Sequence, residues 1–525
     1  MQRNHSFRRW GTFFVNTVVV VLTLIALISS GSVSQAAPPQ QTPERAPLRV
    51  MVPTDQTRAD LQAQGYTSLY DLFPSLTAES FQPGPRMPIL DKLESAQLSS
   101  GPNGVIPSTT FRTLAILVDF SDNVATAPAT YFDTLLFGTS SSATVHSFYD
   151  ESSYGLLDIV TLNLPSTMGW QRMPQAYNYY VDGTNYCTGS YPNNCQKLTE
   201  EAVIAVDSVV NFANYDNDGD GYVDTVFVIH AGQGAEAGVA NAIWSHSWWV
   251  WNEPVHDGVK IGSYTTEPEY WFSVDASTSD MTHGVYVHEL GHALGLPDLY
   301  DYDDVGQGDG PSAGVGDWSL MAGGSWNGYL GNSPSYFDAW SRVFLGFNDA
   351  VNISGTNQTI SIPNVVNNQN NSIFRLNGGN TNEYWLLENR QKLGSDAALP
   401  GDGLLIWHID DNAYSNDNQC PLQNNYLCSG PGNHYVVALE QADGLYQLEY
   451  KGDISNHNQG NAGDPFPGTT GNTTFNFTSN PNTTSYYTNT DLGVSVSQIS
   501  ASGSTMTAKI GVDPLITDPV VLSSP

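Results

Sequence analysis

The sequence predicts a mixed α/β (α+β) domain followed by a β-rich, sandwich-like domain, and three observations predict it. Apolar runs of strand length, TLAILVDF at 113–120 and VDTVFVIHAG at 223–232, flank a stretch with apolar residues at helical spacing. A further helical pattern surrounds HELGH at 288–292. From about residue 350 the texture changes to short alternating runs divided by Asn, Ser, Thr, Gly and Pro. A chain of 525 residues exceeds one ordinary core, so more than one domain is expected.

At the N-terminus, Arg3, Arg8 and Arg9 precede an apolar run from Phe13 to Ile28, and Ser34-Gln35-Ala36 offers small residues for cleavage. Residues 1–36 read as a signal peptide, which makes the chain secreted and extracellular. No second run of that length follows, so no stable membrane anchor is expected after its removal. Residues 37–108 open with PPQQTPERAP and close with SSGPNGVIPSTT, the texture of a propeptide and linker. The α/β domain is expected over 109–350, with Ala202, Ile204, Ala205 and Val209 marking the apolar face of a helix between its strands. The runs QTISIP, YWLLENR, GLLIWHI, HYVVALE and SVSQIS are the expected strands of the β-rich domain at 351–512, and 513–525 is a tail.

The formal charge is -34, from 52 acidic against 18 basic residues, and loss of the three leader arginines makes it more negative. Such a surface repels phosphate backbones, which argues against nucleic acid as a partner, and favours hard cations. The four cysteines fall as Cys187 with Cys195 and Cys420 with Cys428, and in an exported chain these read as two local disulfides. Neither pair has the tight spacing of a cysteine zinc site.

The string HELGHALGLPD at 288–298 carries the chemistry. On a helix, His288 and His292 share one face, one turn apart, and can ligate zinc through neutral nitrogens while Glu289 stands beside the metal as general base. Tyr286, Leu290 and Leu294 fall on another face, fit for a core, while Gly295 supplies a left-handed stop and Pro297 prevents resumption. The chain can then double back, so that Asp298 reaches the metal as third ligand, a zincin-type HExxHxxGxxD arrangement. Asp301, Asp303, Asp304 and Asp317 are rivals for that place. A glutamate from a later helix is not, because none occurs between Leu290 and Asn382. Met321, in the Gly-flanked turn GDWSLMAGGSW, is positioned to be the apolar floor of such a site, a Met-turn.

The loop DNDGDGYVD places Asp216, Asp218, Asp220 and Asp224 with the Tyr222 carbonyl in a pattern suited to calcium, although Phe227 at the twelfth position excludes an EF-hand. Its alternative is an Asp/Gly turn with no ion. Asp443 and Asp464 form a weaker cation candidate. His230, His246, His408 and His434 read as hydrogen-bonded structural groups, and Tyr329 is a candidate for stabilising an oxyanion by chain position only.

Taken together, HELGHALGLPDLYD, VGDWSLMAGGSW, VDTVFVIHAGQGAEAG, EYWLLENRQ, LPGDGLLIWHID, LEQADG and GDPFPG resemble the immune inhibitor A family of secreted zinc metalloproteases. The resemblance runs from about residue 113 to 468. It implies a zinc endopeptidase made as a zymogen, with His288, His292 and Asp298 as ligands and Glu289 as catalytic base. The expected protein is thus a secreted, calcium-stabilised metalloendopeptidase, a monomer acting on proteins or peptides. The alternatives are a calcium-dependent binding protein on an inactive protease fold and a metallo-exopeptidase.

Overall fold

Six strands build the sheet that carries the site. In chain order they are β1 (Arg49–Val50), β2 (Leu114–Asp119), β3 (Gln171–Arg172), β4 (Val226–Gln233), β5 (His246–Trp249) and β6 (Ser263–Tyr270), lying side by side as β1-β5-β6-β4-β2-β3. From β6 to β3 the neighbours are parallel, whereas β5 runs antiparallel to β6 and β1 antiparallel to β5. The computed structural model describes residues 45–513 apart from 67, 92, 94–107, 302–311, 379–381, 418–433, 450–457 and 489. The signal peptide 1–36, residues 37–44 and 94–107 of the 37–108 linker, Cys420, Cys428, Asp303, Asp304 and all of the tail beyond 513 lie outside the described residues.

β2 and β4 are buried at every position but the last of β4, and mostly apolar, because the sheet is covered on both faces. On one face Ile116, Val118 and Val228 meet a helix, α1 (Cys195–Val206). On the other, Leu117, Phe227 and Ile229 join the core that holds the helix bearing HELGH, α2 (Gly284–Ala293). The expected face of α1 is corrected here. Asn194 caps it by accepting from Lys197 N at 3.1 Å, which starts the helix at Cys195 and sets the buried row as Leu198, Ala202, Val203 and Val206. Ile204 and Ala205 are exposed on the opposite side, and Val209 lies beyond the helix end, also exposed.

Beyond residue 349 come β7 (Ala350–Ile353), β8 (Gly355–Pro363), β9 (Ile373–Asn377), β10 (Glu383–Arg390), β11 (Gly403–Asp410), β12 (Val437–Leu439), β13 (Val494–Ser497) and β14 (Thr505–Val512). They form a five-stranded sheet, β7-β9-β10-β11-β12, and a three-stranded sheet, β8-β14-β13. Ile362, Trp385, Leu387, Ile406, Val496 and Ile510 fill the space between these sheets. The alternate residues Leu386, Leu405 and Trp407 face the other way, into the core that surrounds α2. Both faces of β10 and β11 are therefore buried, which is why YWLLENR and GLLIWHI read as nearly continuous apolar runs. Leu48, Val50, Met51, Val52, Phe73, Phe81 and Leu90 join the same core from the N-terminal side, so the described residues form one compact unit. No described helix is long and apolar enough to cross a membrane.

Candidate metal centre

The helix α2 is ended by the chain itself. Gly295, at φ +104°, donates its N–H to His292 O at 2.9 Å, and Leu296 N donates to Gly291 O at 3.1 Å. This pair of bonds is a Schellman motif, and the positive φ it demands is cheap only for glycine. The reversal brings Leu296 O back to His292, whose Nδ1 donates to it at 2.9 Å, and delivers Asp298 to the face of the helix that bears both imidazoles. His288 Nδ1 donates to Leu320 O at 2.8 Å, a carbonyl of the turn around Met321. Two further bonds join ligand loop and turn, Leu299 N to Met321 O at 2.8 Å and Val315 N to Leu299 O at 3.0 Å.

With Nδ1 protonated in each ring, both Nε2 atoms present lone pairs. They point at Asp298 Oδ1, at 3.1 Å from His288 and 3.3 Å from His292, and all three side chains are buried. Three lone-pair donors facing one another away from water repel unless a cation sits among them, so the donor set fits a metal ion. Burial holds the His292 imidazole below its ordinary pKa, in the neutral form that ligates.

Glu289 is fully buried, and among the described residues neither carboxylate oxygen has a hydrogen-bond partner. Burial pushes it well above the ordinary range, and the charges of Glu267, Asp298 and Glu236 add to the effect while Arg49 opposes it. Met321 is fully buried under the helix: a Cβ added at Gly291 would lie 2.7 Å from its sulfur. Asp301 and Asp317 do not join the His288, His292 and Asp298 group. Asp317 is pushed to about 8, first by burial and then by the charges of Asp55 and Asp464. Tyr329 is exposed on the surface, its N–H bonded to Asn332 Oδ1 at 2.9 Å.

In the acidic loop, carboxylate oxygens of Asp216, Asp218 and Asp220 lie within 4.8 Å of one another. Asp216 also accepts from the amides of Gly219 at 2.7 Å and Gly221 at 3.0 Å, which folds the loop around it. Asp224 is not brought into this trio. Tyr222–Val223 pairs as a strand with Lys260–Ile261, and Asp224 Oδ2 instead accepts from Asn217 N at 2.8 Å and Nδ2 at 2.7 Å. Burial, its largest influence, pushes Asp224 up to about 7 and Asp220 to about 6. Cys187 and Cys195 are disulfide-bonded at the start of α1. Away from the metal centre, His408 is held by Glu440 Oε1 on Nδ1 and Glu383 Oε1 on Nε2, both at 3.1 Å.

Sequence reasoning missed three side chains near the centre. Trp244, Tyr300 and Trp326 each donate a hydrogen bond to the N-terminal segment. Nothing in their spacing signals a shared role, since they are brought together only by the fold. Glu236 and Glu267, buried toward Glu289, were equally silent in the sequence.

The fold and this donor set define a metallopeptidase domain. Residues 107–351 match the catalytic domain of the immune inhibitor A peptidase M6 family. Immune inhibitor A from Bacillus thuringiensis subsp. alesti is 28% identical over 281 residues, 45% of this chain and 39% of the relative. The pre-pro-metalloprotease PrtV from Vibrio cholerae serotype O1 (strain ATCC 39315 / El Tor Inaba N16961) is 33% identical over 209 residues, 34% of this chain and 21% of the relative. The chain thus spans well under half the length of either relative.

Proposed function

We propose that the chain is a secreted zinc metalloendopeptidase that hydrolyses peptide bonds of extracellular proteins. In this reading residues 37–108 are removed on maturation, residues 109–350 carry the chemistry and residues 351–512 form an accompanying β-rich domain. One observation carries it: the convergence of His288 Nε2, His292 Nε2 and Asp298 Oδ1, all buried, with Glu289 beside them. The Arg-flanked apolar leader, the disulfide and the pre-pro naming of one relative support export and processing.

His288, His292 and Asp298 would hold the zinc, and Met321 would floor it. Bound zinc supplies Lewis acidity, which makes water a usable nucleophile near neutral pH. The chain's own residues do the rest. The Leu296 and Leu320 carbonyls fix the tautomer of each imidazole, so that neither needs to reorient to bind. Glu289 accepts the proton of the attacking water at its carboxylate and passes it to the leaving nitrogen. Glu289, raised by burial, would come down toward the range of a working base with a cation held by His288, His292 and Asp298. Asp216, Asp218 and Asp220, with the Tyr222 carbonyl, bind calcium and stabilise the loop ahead of β4.

The test compares Glu289→Gln with the unaltered protein on a peptide blocked at both termini. Internal cleavage by the unaltered protein, abolished by a chelator and reduced at least ~100-fold in the variant, supports the reading. No cleavage at any zinc concentration overturns it, and cleavage only of unblocked peptides assigns an exopeptidase.

A further inference from the structure

The segment preceding the matched domain is held by its main chain. Val50, Met51 and Val52 present three successive carbonyls, and a different side chain takes each. Tyr300 Oη donates to Val50 O at 2.6 Å, Trp244 Nε1 to Met51 O at 2.7 Å and Trp326 Nε1 to Val52 O at 2.8 Å. Along the same stretch β1 pairs with the outer edge of β5, Arg49 opposite Ser247 and Val50 opposite His246, and Met51 N donates to Ser245 O at 2.9 Å.

The three donors lie on three segments that adjoin parts of the metal centre in sequence or in packing. Tyr300 follows Asp298 by two residues, Trp326 ends the short 3-10 helix after Met321, and Trp244 leads into β5, which packs against α2. The Arg49 charge reaches both Glu289 and His292. Trp244 and Tyr300 are almost fully buried. If the segment left, each donor would give up the carbonyl it now holds, and another extended chain in the same place would restore those three bonds. Carbonyls are common to all peptides, so what the three donors recognise is chain conformation and not side-chain identity.

We propose that Tyr300, Trp244 and Trp326 form the clamp that receives a substrate, holding three successive carbonyls of an extended polypeptide laid antiparallel along β5. Residues 49–52 occupy that clamp in the unprocessed chain. The inference rests on the endopeptidase reading and adds the substrate form: an extended, unfolded stretch of at least four residues, gripped by its backbone.

The test uses full-length protein allowed to fold and mature by its own processing, together with a labelled peptide, APLRVMVPT, copied from residues 46–54. Binding is measured after zinc is withdrawn with phenanthroline, so that the peptide is not cut. Tyr300→Phe removes one hydroxyl, and Trp244→Phe and Trp326→Phe each remove one N–H. Each should weaken peptide binding ~5–10-fold, the loss of one buried hydrogen bond. Each should also raise KM on a long peptide by a similar factor, with kcat within about twofold of its original value. Tyr300→Phe, which keeps the ring, decides the matter if a tryptophan variant fails to fold. Failure of the peptide to bind at millimolar concentration, or equal affinity for Tyr300→Phe and the unaltered protein, overturns the clamp. Binding that depends on the three donors without any peptide hydrolysis keeps the clamp and removes the endopeptidase.

Discussion

Gly284 opens the metal-bearing helix against the turn that follows Met321. Its N–H donates to Gly331 O at 3.1 Å, and a Cβ built on it would stand 2.8 Å from that same oxygen and closer still to Ser325 O. Both obstacles are main-chain atoms, so neither can swing aside, and Gly284→Ala must lift the start of α2 or displace the 323–331 segment. Overpacking of this kind costs ~1–3 kcal/mol, against which alanine's better helix propensity returns at most ~1 kcal/mol. Gly291, on the same helix, is the control. A Cβ there meets Met321 Sδ at 2.7 Å, the end of a side chain that can rotate away, so cost and propensity gain nearly cancel. Thermal denaturation of the full-length variants at fixed zinc and calcium, with zinc content from elemental analysis, separates the two. Gly284→Ala should melt a few degrees lower and hold less zinc, because both histidines ride on the displaced helix. Gly291→Ala should melt within about 1 °C of the unaltered protein. Equal melting of the two variants, or the reverse order, refutes the seating of α2 on the turn.

Calcium should raise the melting temperature of chelator-treated, zinc-repleted protein, and Asp218→Ala should remove most of the gain. The gain should also depend on pH. Asp220 and Asp224 have raised values of about 6 and about 7, so their protonated forms favour the fold and that advantage is lost as pH rises through this range. The calcium increment should therefore be small near about pH 5 and full near about pH 8, and a flat profile would count against the loop. The full-length chain should be less active than the form beginning near residue 109, and thiol reagents should not activate it, since residues 37–108 contain no cysteine and Cys187 and Cys195 are paired. Equal activity of the two forms contradicts the pro-segment assignment. Burial opposes the charge on His408, but Glu383 and Glu440 raise it to about 9, so its contribution to stability is complete below its ordinary pKa and lost as pH rises through about 9. His408→Gln should flatten the alkaline decline in melting temperature, and an unchanged slope would show that the ion pairs contribute nothing.

Local features were legible in the sequence, and contacts between distant segments were not. HELGHALGLPD predicts its own geometry because the histidine spacing, the glycine stop and the returning aspartate all lie within one helix and its cap. YWLLENR and GLLIWHI coincide with β10 and β11 because burial on both faces leaves an apolar run. The buried face of α1 was misread because Ile204 and Val209 are apolar yet exposed, and only the cap at Asn194 fixes which row turns inward. The spacing of DNDGDGYVD puts Asp224 with Asp216, Asp218, Asp220 and the Tyr222 carbonyl, but the strand pairing of Tyr222–Val223 turns it onto Asn217. The clamp was invisible because its three donors are brought together by the fold, and their acceptors lie in a two-residue strand and the residues just after it.

Zinc stoichiometry in three single variants tests the central claim most directly. If Glu289 moves a proton while Asp298 holds the ion, Glu289→Gln retains close to one zinc per chain and loses hydrolysis, whereas Asp298→Ala loses zinc and regains part of its activity at high zinc. Asp301→Ala, a buried neighbour outside the three-residue group, keeps its zinc. Should Asp298→Ala bind zinc as tightly as the unaltered protein while Asp301→Ala releases it, Asp298 is only the turn after the helix and the metal centre is wrongly assigned.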